Sequence, residues 1–330
     1  MSVLNAPHFH NEESAFAKLE SVLWPHGPVC PHCGNNERVY TLKGVRSKPS
    51  KTNPEGVERH GLKKCGKCRK QFTVRVGTVF ESSHIPLHKW FQAVHLLCAS
   101  KKGISSHQLH RVLEITYEAA WFMSHRIREA MRAGPLAPMG GPGGSGIVEA
   151  DETYFGEVEE RRTTRTSGEP FKKHGSKGPA NKRAVIALVE RGGSVRSFHV
   201  ERADKETVAS IAKENISREA RLMTDESRLY KGLEVVSHER IRHAAKEYAR
   251  GDVTTNSVEG YFSIFKRGMK GVYQHCSEKH LHRYLAEFDF RYNNRSKLGV
   301  EDTERAELAI RSVKGKRLTY RRTCEIDAGV

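Results

Sequence analysis

The chain has 330 residues, which at about 100–200 residues per domain allows two or three domains that each bury a core. Lys and Arg total 56 against 39 Asp and Glu, a formal charge of +17 that points to a polyanionic partner, nucleic acid or an anionic membrane surface. The membrane reading is set aside: no apolar run approaches the roughly 20 residues of a spanning helix, and the N-terminal MSVLNAPHFHNEESAFAKLE lacks the basic-then-apolar pattern of a signal peptide.

In chain order, the first informative feature is a pair of cysteine knuckles, Cys30-Pro-His-Cys33 and Cys65-Gly-Lys-Cys68. Two thiols two residues apart let one tight turn present both sulfurs to a single tetrahedral ion. Four such thiolates predict a closed structural Zn2+ site that His32 is not needed to complete, in a ribbon domain with an N-terminal arm over residues 1–84. Cys98, Cys276 and Cys324 are scattered, so a reducing compartment, cytosol or nucleoid, fits better than a disulfide framework.

A helical pattern follows over residues 87–131, broken near Gly103. Ser105 or Ser106 is a candidate cap, Leu109, Val112 and Leu113 form one apolar face, and a turn near Ile115 and Thr116 leads to a helix carrying Ala120, Met123 and Ile127. The pattern predicts a helix-turn-helix-like segment over 85–132, although an ordinary helical hairpin has the same periodicity. Arg126, Arg128, Arg132 and His125 favour DNA, with Arg126 and Arg128 as expected contacts. Residues 133–146, AGPLAPMGGPGGSG, read as a flexible linker.

Beyond it, apolar stretches at 147–154, 184–190, 195–201, 221–225 and 233–237, with a helical pattern at 205–215, predict an α/β domain over 147–300: a mixed sheet with flanking helices. The basic, polar segment 157–183 is expected to be an exposed loop, and residues 301–330 a C-terminal tail. No repeat of 20–50 residues is visible.

In this basic chain, acids end several apolar runs. Asp151 follows IVEA, Asp225 follows RLMT, and Glu259 lies in TTNSVEGYFSIFKRGMK. Residues at neighbouring strand ends and on a packed helix can converge, and three carboxylates would hold two Mg2+ or Mn2+ ions about 3.5–4 Å apart for phosphodiester displacement. On a helical period Val258, Phe262, Phe265 and Met269 form an apolar stripe, while Asn256, Glu259, Ser263, Lys266 and Lys270 form a polar one. Glu259 is then set to reach metal and Lys266 a DNA phosphate. The competing readings are structural. Asn256 and Glu259 have capping-box spacing, Asp225 can terminate a strand, Glu152 and Glu226 are neighbouring acids, and Glu149 shares a strand face with Asp151 and Thr153.

Together, CPHCG, CGKCRKQFTVRVGTVFESSHIPLHKW, VEADETYFG, TDESRLY and NSVEGYFSIFKRGMKGVYQHCSEKHLHRYLAEFDFRYNNR resemble bacterial insertion-sequence transposases of the zinc-ribbon branch called the insertion-sequence 1595 family. The resemblance implies an RNase-H-like catalytic domain with an Asp151, Asp225 and Glu259 metal triad followed by the basic Lys266. It also implies Mg2+-dependent cleavage at element ends and attack of the freed 3′ hydroxyl on target DNA. Some branches carry Asn in place of the third acid, which keeps Asn256 as a possible contributor. Lys266, Arg267 and Lys270 are expected DNA contacts. The expected partners are the terminal inverted repeats, target DNA and further copies of the chain in a dimer or higher assembly. The alternative readings are a catalytically silent DNA-binding descendant and an RNase-H-like nuclease that cuts without joining.

Overall fold

The computed structural model describes residues 2–51, 53–158, 182–235, 237–247 and 249–319. The chain divides into two compact units. One gathers the residues through Ser100, Ile104–Met131 and the segment from Glu301 onward; the other takes Lys101–Gly103 and Arg132–Val300. No described helix is long and apolar enough to cross a membrane.

The first unit opens with α1 (Glu12–Leu23), whose N-cap Asn11 accepts the Ser14 N–H at 2.8 Å. Three short strands, β1 (Val39–Thr41), β2 (Lys63–Cys65) and β3 (Gln71–Phe72), pair antiparallel in that order. Helix α2 (Leu87–Ala99) follows Pro86, which has no capping side chain. Glu12 of α1 caps it instead, accepting the Leu87 N–H at 2.7 Å and the His88 N–H at 3.1 Å. Helix α3 (Ser106–Leu113) starts at Ser105, whose hydroxyl accepts the Gln108 N–H at 3.1 Å, and stops where Glu114 turns left-handed at φ 49°. Helix α4 (Tyr117–Met131) follows at once. Leu109, Leu113, Ala120, Met123 and Ile127 are buried, but Val112 is 55% exposed.

The arginines of α4 do not face solvent. Arg126 and Arg128, expected DNA contacts, are buried together with His125. Arg126 donates to the carbonyls of Val79 at 2.9 Å, Glu81 at 2.8 Å and Leu318 at 3.1 Å, and lies over the Phe122 ring. Arg128 donates to Ser124 Oγ at 3.0 Å. Helical periodicity assigns these residues to α4 but cannot say that the helix is covered nearly all round. Arg126→Ala is therefore expected to destabilise this unit by about 2–4 kcal/mol in urea denaturation, because it strips charged donors from buried carbonyls. An unchanged midpoint with a selective loss of DNA affinity would return Arg126 to the DNA surface.

The second unit is built on five strands: β4 (Ile147–Phe155), β5 (Arg183–Glu190), β6 (Val195–Val200), β7 (Arg221–Thr224) and β8 (Ser237–Arg240), with α5 (Lys205–Asn215) between β6 and β7. The spatial order is β6-β5-β4-β7-β8; β4, β5 and β6 are antiparallel, while β7 runs parallel to both β4 and β8. A meander, a crossover helix and two further strands, parallel to β4, make the expected RNase-H-like mixed sheet with flanking helices. Helices α6 (Asn256–Gly268) and α7 (Leu281–Asn293) complete the unit.

Strand alternation sorts the core into two layers. Val148, Ala150, Ile186, Leu188 and Leu222 pack with Val208 and Ala212 of α5. Val185, Ala187 and Val189 pack with Val258, Phe262 and Phe265 of α6 and Phe288 of α7. With helices on both faces, β5 is buried along nearly its whole length.

Three boundaries differ from expectation. The strand expected at 233–237 forms at Ser237–Arg240, because Leu233 and Val235 instead pack into the core layer under α5. The segment expected to be a flexible linker is partly built into the fold. Met139 is buried in that layer and exchanges backbone hydrogen bonds with Asn215 at 2.7 Å and Ser217 at 2.8 Å. Gly140 (φ 73°) lies so close to Ala220 that a Cβ would come within 2.6 Å of its methyl carbon. Finally, much of the expected C-terminal tail is structured: α8 (Asp302–Arg311) joins the first unit, burying Ala309 and Ile310, and Arg305 donates to the Cys98 carbonyl at 2.8 Å. Most of the predicted 157–183 loop, and Cys324, lie outside the described residues.

Candidate functional site

The cysteine knuckles meet on the covered side of the ribbon sheet. The sulfurs of Cys30, Cys33, Cys65 and Cys68 all lie within 4.8 Å of one another, with Cys30–Cys68 at 3.7 Å and Cys33–Cys65 at 3.6 Å. Four sulfurs about 2.3 Å from a tetrahedral zinc would be about 3.8 Å apart, so the quartet has the dimensions of a Zn2+ site. The Cys68 and Lys67 N–H groups point at the Cys65 sulfur and, against the effect of burial, lower its thiol to about 6, favouring the thiolate that binds metal. His32 is not among these ligands.

The acidic site is set by strand register. Parallel pairing places Ile147 beside Arg221, Val148 beside Leu222 and Glu149 beside Met223. Carried two residues further, the same register brings Asp151, in the middle of β4, beside Asp225, the first residue past the carboxyl end of β7. Alternation turns Asp151 toward the α6 layer, as it does Glu149.

Glu149, the rival for the metal role, is fully buried and occupied. Its oxygens accept the Ser257 N–H at 2.7 Å, the Val258 N–H at 3.2 Å and the Ser257 hydroxyl at 3.0 Å, while Arg191 donates at 2.8 and 3.0 Å. Thr255, the N-cap of α6, makes no side-chain capping bond, so Glu149 fills that role from the sheet. Glu149→Ala is expected to cost about 3–5 kcal/mol in denaturant unfolding, since it leaves Arg191 and the first turn of α6 without their carboxylate. A loss below about 1 kcal/mol would refute this anchoring role.

Anchoring α6 brings Glu259 over the strand ends. The helix begins at Asn256, so the competing Asn256–Glu259 capping box does not form: the Asn256 N–H donates to Thr254 Oγ1 at 3.2 Å, and Glu259 Oε1 accepts the Thr255 hydroxyl at 2.8 Å. The Glu259 side chain remains 47% exposed, with His243 Nε2 3.4 Å from its Oε1. His243 is a member of this neighbourhood that no sequence motif marked, and Thr255 lies inside the motif around Glu259 without having been singled out.

The acids sense one another electrostatically. Burial, then the charges of Glu152, Asp225 and Glu259, push the Asp151 carboxyl up to about 8. Burial also raises Asp225, with Glu226 and Glu259 adding to the shift against the Ser227 N–H and His243. Glu152 is raised by burial even though it accepts the Tyr230 hydroxyl at 2.7 Å. As a trio, Asp151, Asp225 and Glu259 do not close to the 4.8 Å spacing of the four sulfurs. The donor set is oxygen-rich and electrostatically undercompensated, which suits Mg2+ or Mn2+.

The rest of α6 follows the predicted stripes. Val258, Phe262, Phe265 and Met269 are buried, Lys266 is half-buried two turns beyond Glu259, and Arg267 and Lys270 are exposed.

A five-stranded sheet of this order and register, with helices packed on both faces, defines an RNase-H-like fold. Residues 144–293 match the ISXO2-like transposase domain, and residues 10–71 match the transposase zinc-ribbon domain. The chain belongs to the insertion-sequence 1595 family of transposases. An uncharacterized protein in transposable element ISH50 of Halobacterium salinarum is 26% identical over 309 residues, covering 89% of this chain and 95% of the relative. Among solved structures, the Mos1 transposase paired-end complex with left transposon end is 13% identical over 60% of this chain and 78% of that one, with a TM-score of 0.19. The Mos1 strand transfer complex is 12% identical over 63% and 77%, with a TM-score of 0.22. The fold assignment rests on the strand order and register above.

Proposed function

We propose that this transposase cuts DNA at the ends of its element and joins the freed 3′ hydroxyl to target DNA, using Asp151, Asp225 and Glu259 as the ligands of Mg2+ or Mn2+. The observation that carries this reading is the parallel register of β4 and β7, which, continued two residues past the Glu149–Met223 pair, brings Asp151 beside Asp225 under a helix whose anchored first turn carries Glu259. Divalent cations bound there supply activation of the attacking water or hydroxyl and stabilisation of the leaving oxygen.

The chain's own groups account for the rest. Glu149 fixes α6, Thr255 holds one oxygen of Glu259, and Ser227 orients Asp225 through its N–H at 2.9 Å. Lys266, Arg267 and Lys270 follow Glu259 along α6 and its end, where they would meet DNA phosphates. Asn256, exposed and one turn before Glu259, would be a further contributor. The cysteine quartet holds a structural Zn2+, and the ribbon with the α3–α4 segment recognises the terminal inverted repeats. Buried Arg126 and Arg128 are not part of that surface. Two ends must be held together, so a dimer or higher assembly is the expected active form.

The test is strand cleavage and strand transfer on terminal-repeat DNA with Mg2+ or Mn2+, comparing wild type with Asp151→Asn, Asp225→Asn and Glu259→Gln. Each variant is expected to lose about 10²-fold or more in rate. Activity surviving all three changes would reject the site. Products that are cut but never joined would identify a nuclease, and no product from the wild type with bound DNA would identify a silent binder.

A further inference from the structure

We infer that the open face of the ribbon sheet is a DNA-stacking platform centred on Tyr40; this rests on the DNA-binding role proposed above and not on the acidic site. The cross-strand register pairs Tyr40 with Lys64 and Lys64 with Gln71, which puts all three side chains in one row on one face. The other face carries the metal quartet and its apolar cover: Cys65, Phe72 and Val39 belong to the same buried cluster as Cys30.

Tyr40 is 55% exposed. One edge of its ring is nonetheless backed by the chain. A Cβ added at Gly66, inside the second knuckle, would come within 3.1 Å of Tyr40 Cε2 and 2.9 Å of Arg38 Cβ, so the ring edge rests on the knuckle backbone. The Gly66 N–H donates to the Arg38 carbonyl at 2.7 Å, tying that knuckle to the start of β1. The metal site therefore holds an aromatic face toward solvent without covering it, and among the described residues no other ring lies against it.

Charge selects the occupant. Arg38, Lys67, Arg69 and Lys70 are exposed around this row and Lys64 is half-buried within it, and no described carboxylate lies within 4.0 Å of any of the five cations. An accessible π face surrounded by unpaired cations matches a strand of DNA, with a base on the ring and phosphates on the Lys and Arg side chains. Stacking needs a base that is out of a helix, so the face would act on single-stranded or frayed DNA.

The experiment uses the full zinc-loaded chain carrying Asp151→Asn, without added Mg2+ or Mn2+, titrated with a mixed-sequence single strand bearing 2-aminopurine and with its duplex. The unmodified face is expected to quench the aminopurine in the single strand. Tyr40→Ala and Tyr40→Leu should each weaken single-strand binding about tenfold or more, while Tyr40→Phe should bind like the parent. Lys64→Ala should lower the slope of log affinity against log salt by about one. Zinc content is measured for every variant; should Tyr40→Ala lose metal, Tyr40→Leu, which keeps an apolar contact on Gly66, decides the matter. Parental affinity in zinc-loaded Tyr40→Leu, failure of Tyr40→Phe to restore binding, or duplex binding with no quenching would each overturn the proposal. An acid triad that failed to cut DNA would leave these titrations unchanged.

Discussion

Asp151→Asn is expected to abolish strand cleavage while making the metal-free protein more stable. Burial, and then the charges of Glu152, Asp225 and Glu259, raise the Asp151 carboxyl to about 8, so ionising it in the folded state is unfavourable. The folded carboxyl keeps its proton at pH values where the unfolded one, with an ordinary value near 3.8, has lost it. Its contribution is therefore fully present below about pH 4 and is lost as the pH rises through about 8. Metal-free wild type should lose stability across that window, on the order of a few kcal/mol, and Asp151→Asn should flatten the slope. Added Mg2+ should stabilise the wild type at pH 8 and leave the variant nearly unchanged. Thermal unfolding across pH, with and without Mg2+, measures all of this. A variant less stable than wild type at pH 8 without metal would contradict the electrostatic account.

Zinc removal should have the largest effect on folding. The ribbon's three strands contain two or three residues each, and its buried cluster is little more than Cys30, Cys65 and Phe72 with partly covered neighbours. So small a core cannot offset chain entropy by itself. The thiolate–zinc bonds must supply the difference, on the order of 10–16 kcal/mol in apparent terms for such sites. Cys65→Ser, or chelation of the wild type, is expected to release about one zinc per chain and unfold the ribbon. The five-stranded unit has its own core layers and should keep a separate cooperative transition. Elemental analysis paired with chelator-dependent circular dichroism tests this; a chain that contains no zinc yet resists chelator would refute it.

The contrast between Asp151 and Glu149 shows why sequence reached only part of the site. Both follow the same strand pattern two residues apart, and pattern alone left them as equals. Register separates them: Glu149 lies where the first turn of α6 and Arg191 consume its lone pairs, while Asp151 lies beyond that turn beside Asp225. The same limit applies to Arg126, whose basic character suggested DNA but whose surroundings are carbonyl oxygens. His243 approaches Glu259 from the chain after β8, a contact with no local signature at all.

What the sequence by itself determined is what local chemistry specifies: knuckle spacing gives the sulfur quartet, and alternation and helical period give most strands and the two stripes of α6, although Asp151, which follows an apolar run, lies in the middle of β4 and not at its end. What only the tertiary structure decided is which equivalent residues are covered and by what. That choice placed α8 in the first unit, buried Met139 and the α4 arginines, and gave Glu149 a helix to hold. Periodicity fixes the direction of a side chain relative to its own element, whereas its partner and its exposure depend on segments that arrive from far along the chain.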